Sequence, residues 1–198
     1  MYDGEQALHG YLDDLRWIDD HDDDVSQVAN SWGIWSPTGI GGWLARNLGG
    51  EARDHSDAVA LTYADIANHW GYLRLQRVLT TAEYERVRGE ARRWAAANNQ
   101  TPADLTSAFG PPSFGRTSYN PRYPVSLAYG TADTDSPLII FDFCQETDWT
   151  ASPPRSVYGV EPALRDVRWR DTGFPMFTYT PAGEALRARQ PGSAGPAN

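Results

Sequence analysis

Leu8, Tyr11, Leu12, Leu15 and Ile18 recur at three- and four-residue steps, which predicts an amphipathic helix over residues 5–18. The acidic run over residues 19–24 stops it, because Asp forms helix poorly and favours caps and turns. Asp24 is placed to cap a second short helix carrying Val25, Val28, Ala29 and Trp32. Residues 33–42, rich in Gly and holding Pro37, interrupt regular structure and predict an ordered loop. Trp43, Leu44 and Leu48 then allow a short helical turn, which Gly49 ends. Ser56 opens the longest helix as its N-cap, with Val59, Tyr63, Ile66, Trp70 and Leu73 on one stripe. Thr80 and Glu83 have capping-box spacing, and the helix that follows turns Tyr84, Val87, Ala91 and Trp94 inward. Thr101-Pro102 starts a short helix that Gly110-Pro111-Pro112 stops.

The period then changes from helical to alternating. Val125, Leu127 and Tyr129 read as one strand and residues 138–143 as a second. Val167 and Trp169, alternating with Arg168 and Arg170, give a third. A hairpin at Asp171-Thr172-Gly173 returns through Phe174, Met176, Phe177 and Tyr179, and Thr180-Pro181 opens a terminal helix with Ala185 and Leu186 inward. The expectation is an α+β fold, with N-terminal helices packed on a C-terminal antiparallel sheet of about four strands. Trp70 and Trp94 are expected in its core. Residues 1–190 form one domain on this reading, helical over 1–110 and sheet over 111–180, with a disordered tail at 191–198.

Charge changes the picture of what the fold is for. The 198 residues carry 26 acids against 17 bases, a net −9, and every base is Arg. The absence of Lys excludes Schiff-base lysines, phosphate-loop lysines and kinase-type lysines. The acidity belongs to the first third: residues 1–65 hold 13 acids and 3 arginines. Nucleic acid is a poor partner for such a surface, since the phosphate backbone demands clustered positive charge. The single Cys144 cannot form an internal disulfide and reads as a small core hydrophobe. The N-terminus lacks the basic and apolar regions of a signal peptide, and no apolar run is long enough for a membrane span. A cytoplasmic protein is expected, and the lysine-free, Arg- and Ala-rich usage suggests a high-GC bacterial genome.

Candidate chemistry is sparse. The Asp run with His21 invites a metal, yet it lacks the alternating ligands, central Gly and closing Glu of a calcium loop. Neither metal nor cofactor is expected. Residues 38–42 resemble a phosphate loop only in Gly content. Asp65 and His69 stand four apart on the long helix, where an Asp–His pair suits general-base work, but no nucleophile motif accompanies them. Residues 101–113 with the strands after them resemble the helix–turn–strand–strand unit of small BamE-like modules. That unit covers under a quarter of the chain and carries no function across.

Two functions remain. One is a binding module that meets a basic protein, for instance as the inhibitor or immunity partner of a toxin or nuclease. Its surface comprises Trp17, Asp19, Asp20, Asp22, Asp23, Asp24 and Trp35, aromatic anchors beside carboxylates. The alternative is a small hydrolase-like enzyme using Asp65 and His69.

Overall fold

Helix-period segments fill the first half of the chain and strand-period segments most of the second, as the pattern predicts. The computed structural model describes residues 1, 3–20, 22–49, 55–116, 125–145, 147–148, 150–152, 155–157, 161–171 and 174–188. Helices α1 (Asp3–Ile18), α2 (Val25–Ser31), α3 (Gly39–Leu48), α4 (Ser56–His69), α5 (Thr81–Ala97) and α6 (Pro102–Phe109) come first. A five-stranded antiparallel sheet follows, in the order β1 (Phe114–Arg116), β2 (Val125–Tyr129), β3 (Ile139–Cys144), β6 (Ala163–Asp171), β7 (Phe174–Tyr179). The short pair β4 (Thr147–Asp148) and β5 (Arg155–Ser156) lies between β3 and β6 in the chain, and α7 (Pro181–Ala188) ends the fold. The architecture is α+β, with five strands where about four were expected, because three-residue β1 is too short to show a period.

Alternation sorts the sheet into two unlike faces. On one, Leu127, Tyr129, Phe141, Phe143, Val167 and Trp169 pack under Tyr84, Val87 and Ala91 of α5 and Leu105 and Phe109 of α6. Trp94 meets Phe109 and Phe141 edge-on, at 5.3 and 6.1 Å between centroids. On the other face, Ala128 and Ile140 receive Leu61 and Ala64 of α4. Beside them the register aligns Ser126, Asp142 and Asp166 in one row, and Ala128, Ile140 and Arg168 in the next. A bulge between β3 and β6 inserts Arg165 next to Asp166, so both point into this face. Thr180 at the start of α7 holds the bulge through bonds to the Leu164 and Arg165 carbonyls.

This charged face is fully covered, so its groups must pair with one another. Arg168 donates to Asp142 at 2.8 Å and to the Ala58 carbonyl of α4 at 3.0 Å, while Ser126 donates to Asp142 at 2.6 Å. Arg165 donates to Asp166 and to His55 Nδ1, which leaves the ring proton on Nε2 facing the Gly49 carbonyl. Asp65 accepts from Leu138 N at 2.8 Å and from Arg170 at 3.0 Å, and the Arg170 guanidinium lies 3.6 Å over the Trp32 ring. Burial raises the Asp142 carboxyl, but Arg168, Arg165 and Ser126 outweigh it and hold that group below the usual range. Asp166 is pushed up to about 8, first by burial and then by the neighbouring Asp142 charge.

Several local expectations change. α3 begins at Gly39, inside the expected loop, because buried Glu5 of α1 accepts from Ile40 N at 2.6 Å and Gly41 N at 3.1 Å. Its carboxylate fills the space a Cβ at Gly39 would need. α4 stops at His69 and leaves Leu73 outside. Gly71 at φ +77° lets Tyr72 N reach the Ala67 carbonyl and Gly71 N the Asn68 carbonyl, a complete Schellman stop. Ile18 faces solvent at the C-terminal end of α1, and Ala185 is likewise exposed because Gly183 is what packs on the bulge. Trp70 and Trp94 are half-buried at the edges of their clusters. The hairpin tip at Thr172 and Gly173, and the tail at 191–198, lie outside the described residues.

The buried acid pair makes stability depend on pH. Unfolded, Asp166 releases its proton near the ordinary 3.8; folded, near 8. Its contribution is therefore full below about 3.8 and fades as pH rises through 8, whereas the lowered Asp142 matters only in acid. Asp166→Asn should flatten this loss, so urea unfolding should show the variant gaining on the parent by about 1 kcal/mol or more between pH 5 and pH 9. Parallel curves would refute the shift. Glu5→Ala should cost about 1–3 kcal/mol, by leaving the first N–H groups of α3 with no acceptor.

Candidate functional site

The C-terminal end of α1 and the turn after it bring the sequence-predicted acidic residues together, in two different roles. Asp23 accepts from Arg16, whose guanidinium is buried and stacks 4.7 Å from the Trp70 ring, and from Trp70 Nε1 at 3.1 Å. Asp24 caps α2 by accepting from Gln27 N at 2.8 Å. Asp19 accepts from the Tyr72 hydroxyl at 2.6 Å, a bond that pushes that phenol above its ordinary value. Asp13 secures the far side of the turn by accepting from Val25 N at 2.9 Å. Three of the five predicted Asp therefore hold the turn in shape. Asp20, at φ +58°, and Asp22 are exposed to solvent. His21 lies outside the described residues.

The two predicted aromatics part company. Trp17 is 82% exposed, with Ile18 at 69% beside it. Trp35 is half-buried against the helical cluster, its ring 5.5 Å from His9. What the sequence did not single out is an apolar groove of about 380 Å³ along the same helix. α1 contributes Leu8, Tyr11, Leu12 and Leu15, α4 contributes Ala60, Leu61, Tyr63, Ala64 and Ala67, and Tyr72, Leu73, Phe114 and Gly115 complete the lining. Tyr11 at the groove's edge is 63% exposed. A width signal was available: the apolar arc of α1 runs from Leu12 round to Tyr11 and Ile18, more than one contact stripe needs.

Asp65 and His69 are turned to different partners. Both Asp65 oxygens face β-sheet donors, while His69 Nδ1 lies 3.8 Å from Asp135 and its ring meets Trp32 edge-on. The histidine with the richer environment is His9. Its Nδ1 is 3.3 Å from the Tyr63 hydroxyl, and its Nε2 is 3.1 Å from Asp13 and 3.4 Å from Ser26. Tyr63 continues to Glu5 at 3.4 Å, so this chain ties α1 to α2 and α4. The His9–Asp13 spacing, four apart, is the same signal that marked Asp65 and His69. Cys144 sits at the end of β3 with its thiol raised by burial, the character of a packing residue. Among the described residues no group of three His, Cys, Asp or Glu converges as metal ligands, and no helix is long and apolar enough to cross a membrane.

Comparison with protein-family models, with curated proteins and with solved structures finds no match.

The division of labour among the carboxylates is directly testable. Asp20→Asn and Asp22→Asn should leave the unfolding free energy, from urea titration, within about 0.5 kcal/mol of the parent. Asp23→Ala should cost about 1–3 kcal/mol, because it strips a partner from buried Arg16 and from Trp70 Nε1. Equal effects of the three substitutions would mean that the turn is not organised around Asp23.

Proposed function

We propose that the chain is an acidic, cytoplasmic protein-binding module whose partner is a basic protein, in the manner of an inhibitor or immunity protein facing a toxin or nuclease. The observation that carries this reading is the exposed pair Trp17 and Ile18 set beside the unpaired, solvent-facing carboxylates of Asp20 and Asp22. A large aromatic left in water next to fixed negative charge has the composition of an interface centre with a charged rim. The charge accelerates encounter with a cationic partner, and the aromatic lengthens the life of the complex. With Trp35 packed inward, the anchoring role falls to Trp17.

A photo-crosslinking residue at position 17, expressed in the host, should capture a protein of high isoelectric point. With that partner purified, Asp20→Asn combined with Asp22→Asn should slow association severalfold at low salt and little at high salt. Trp17→Ala should mainly speed dissociation. Association that is indifferent to the double Asn change, or a captured partner that is itself acidic, would overturn the proposal.

A further inference from the structure

We infer that the groove between α1 and α4 receives the apolar face of a cationic amphipathic helix presented by the partner, an inference that rests on the acidic-turn reading above and extends it. The groove and the turn are one continuous surface. Tyr72 lines the groove and donates its hydroxyl to Asp19, so an occupant lying along the groove runs directly onto the acidic turn. α4 presents alanines at positions 60, 64 and 67, a four-then-three step of small side chains, and its buried Leu61 and Tyr63 complete that side of the lining. Opposite, Leu8 and Leu15 stand seven residues apart on α1, which spans about 10 Å, or two helical turns. An occupant of that length seats side chains at the i, i+4 and i+7 positions of a helix.

Charge selects among possible occupants. Asp14, exposed on α1, stands three residues after Tyr11 and four before Ile18, on the flank that overlooks the groove. Asp19 marks the far end, with Asp20 and Asp22 beyond it. The Arg16 guanidinium is buried and engaged by Asp23, so it offers nothing outward. Among the described side chains, exposed Arg74, next to groove residue Leu73, is a cation that stands against them. A fatty acid or an anionic lipid would bring its head group to these carboxylates and be repelled. A helix with Lys or Arg flanking a leucine face meets both the apolar lining and the acidic edge.

The probe is a fluorescent 14-residue peptide of Leu and Lys with leucines on one helical face, followed by anisotropy. A scrambled peptide of the same composition and a Leu/Glu counterpart serve as controls. The parent protein should bind the Leu/Lys helix in a salt-sensitive way and at least tenfold more tightly than either control. Ala60→Trp, at a half-exposed position, should fill the groove and weaken binding at least tenfold with the melting curve retained. Tyr11→Ala, at an exposed position that folding does not need, should weaken it severalfold. Binding that Ala60→Trp and Tyr11→Ala leave unchanged overturns the groove assignment, as does equal binding of the scrambled peptide or displacement by laurate. Those outcomes leave the acidic-turn reading standing, because its own test is the double Asn variant against the crosslinked partner. Failure of that test with the groove variants still effective would instead remove the turn and keep the groove.

Discussion

A sheet face that carries buried charges has to be closed by something that can answer them, and this requirement organises the whole molecule. Asp142, Asp166, Arg165 and Arg168 all point to one side of β3 and β6, where none reaches water. Each ion left unpaired there would cost several kcal/mol. α4 supplies the answers at defined points: the Ala58 carbonyl takes Arg168, and Asp65 takes both Leu138 N and Arg170. His55, just before α4, takes Arg165 and passes the contact to Gly49 after α3. Apolar contact alone would let α4 slide along Ala128 and Ile140. The polar points fix its register on the sheet, which is the attested use of buried charge in otherwise apolar interfaces.

Once α4 is fixed, the outer helices follow from it. α1 lies on α4 through Leu12 and the Glu5–Tyr63 and His9–Tyr63 contacts, and Glu5 reaches past α4 to start α3. α3 in turn packs Trp43 against Phe177, which stacks on Tyr179 of the edge strand β7. Polar side chains thus sit at the junctions of α1 with α3, of α1 with α4 and of α4 with the sheet, whereas α5 and α6 meet the other sheet face through an apolar cluster. The groove is a by-product of this geometry. α1 is held at its N-terminal half by Glu5 and at its C-terminal end by Arg16 and Asp23, while α4 offers Ala60, Ala64 and Ala67, with buried Leu61 and Tyr63, to the flank between them.

Elements whose signals are local were legible in the sequence. Thr80 and Glu83 form the expected capping box, Pro102 opens α6 with Thr101 as its cap, and Asp24 caps α2. The alternation of Val167 and Trp169 with Arg168 and Arg170 gave β6, although alternation alone assigns the arginines to water. Only the partners on α4, about a hundred residues earlier, turn that face into an interior. The start of α3 failed for the same reason: Gly39, Ile40, Gly41 and Gly42 look like a loop until Glu5 is brought to their N–H groups. The stripe from Val59 to Leu73 kept its period past Trp70, and a glycine in left-handed conformation ended the helix regardless. Of the candidate surface, charge and the exposure of Trp17 could be read. The groove could not, because Tyr72 and Phe114 reach it from outside α1 and α4.

The acidic turn is built differently from a merely solvated run of Asp. A flexible run spreads its charge over many conformations, and its field at any point on a partner averages down. Here Asp23 is tied to Arg16 and Trp70, Asp24 to Gln27 N, and Asp19 to Tyr72, so the described residues at either end of the run are anchored. Asp20 lies in the left-handed region, a backbone that Asp adopts more readily than most non-glycine residues. The carboxylates that stay in water are therefore fixed in place relative to Trp17. Ordering them on binding costs less than ordering a free loop would, and pre-organisation of this kind turns surface charge into a directional signal. The three Asp that hold the turn are what give the other two a defined direction.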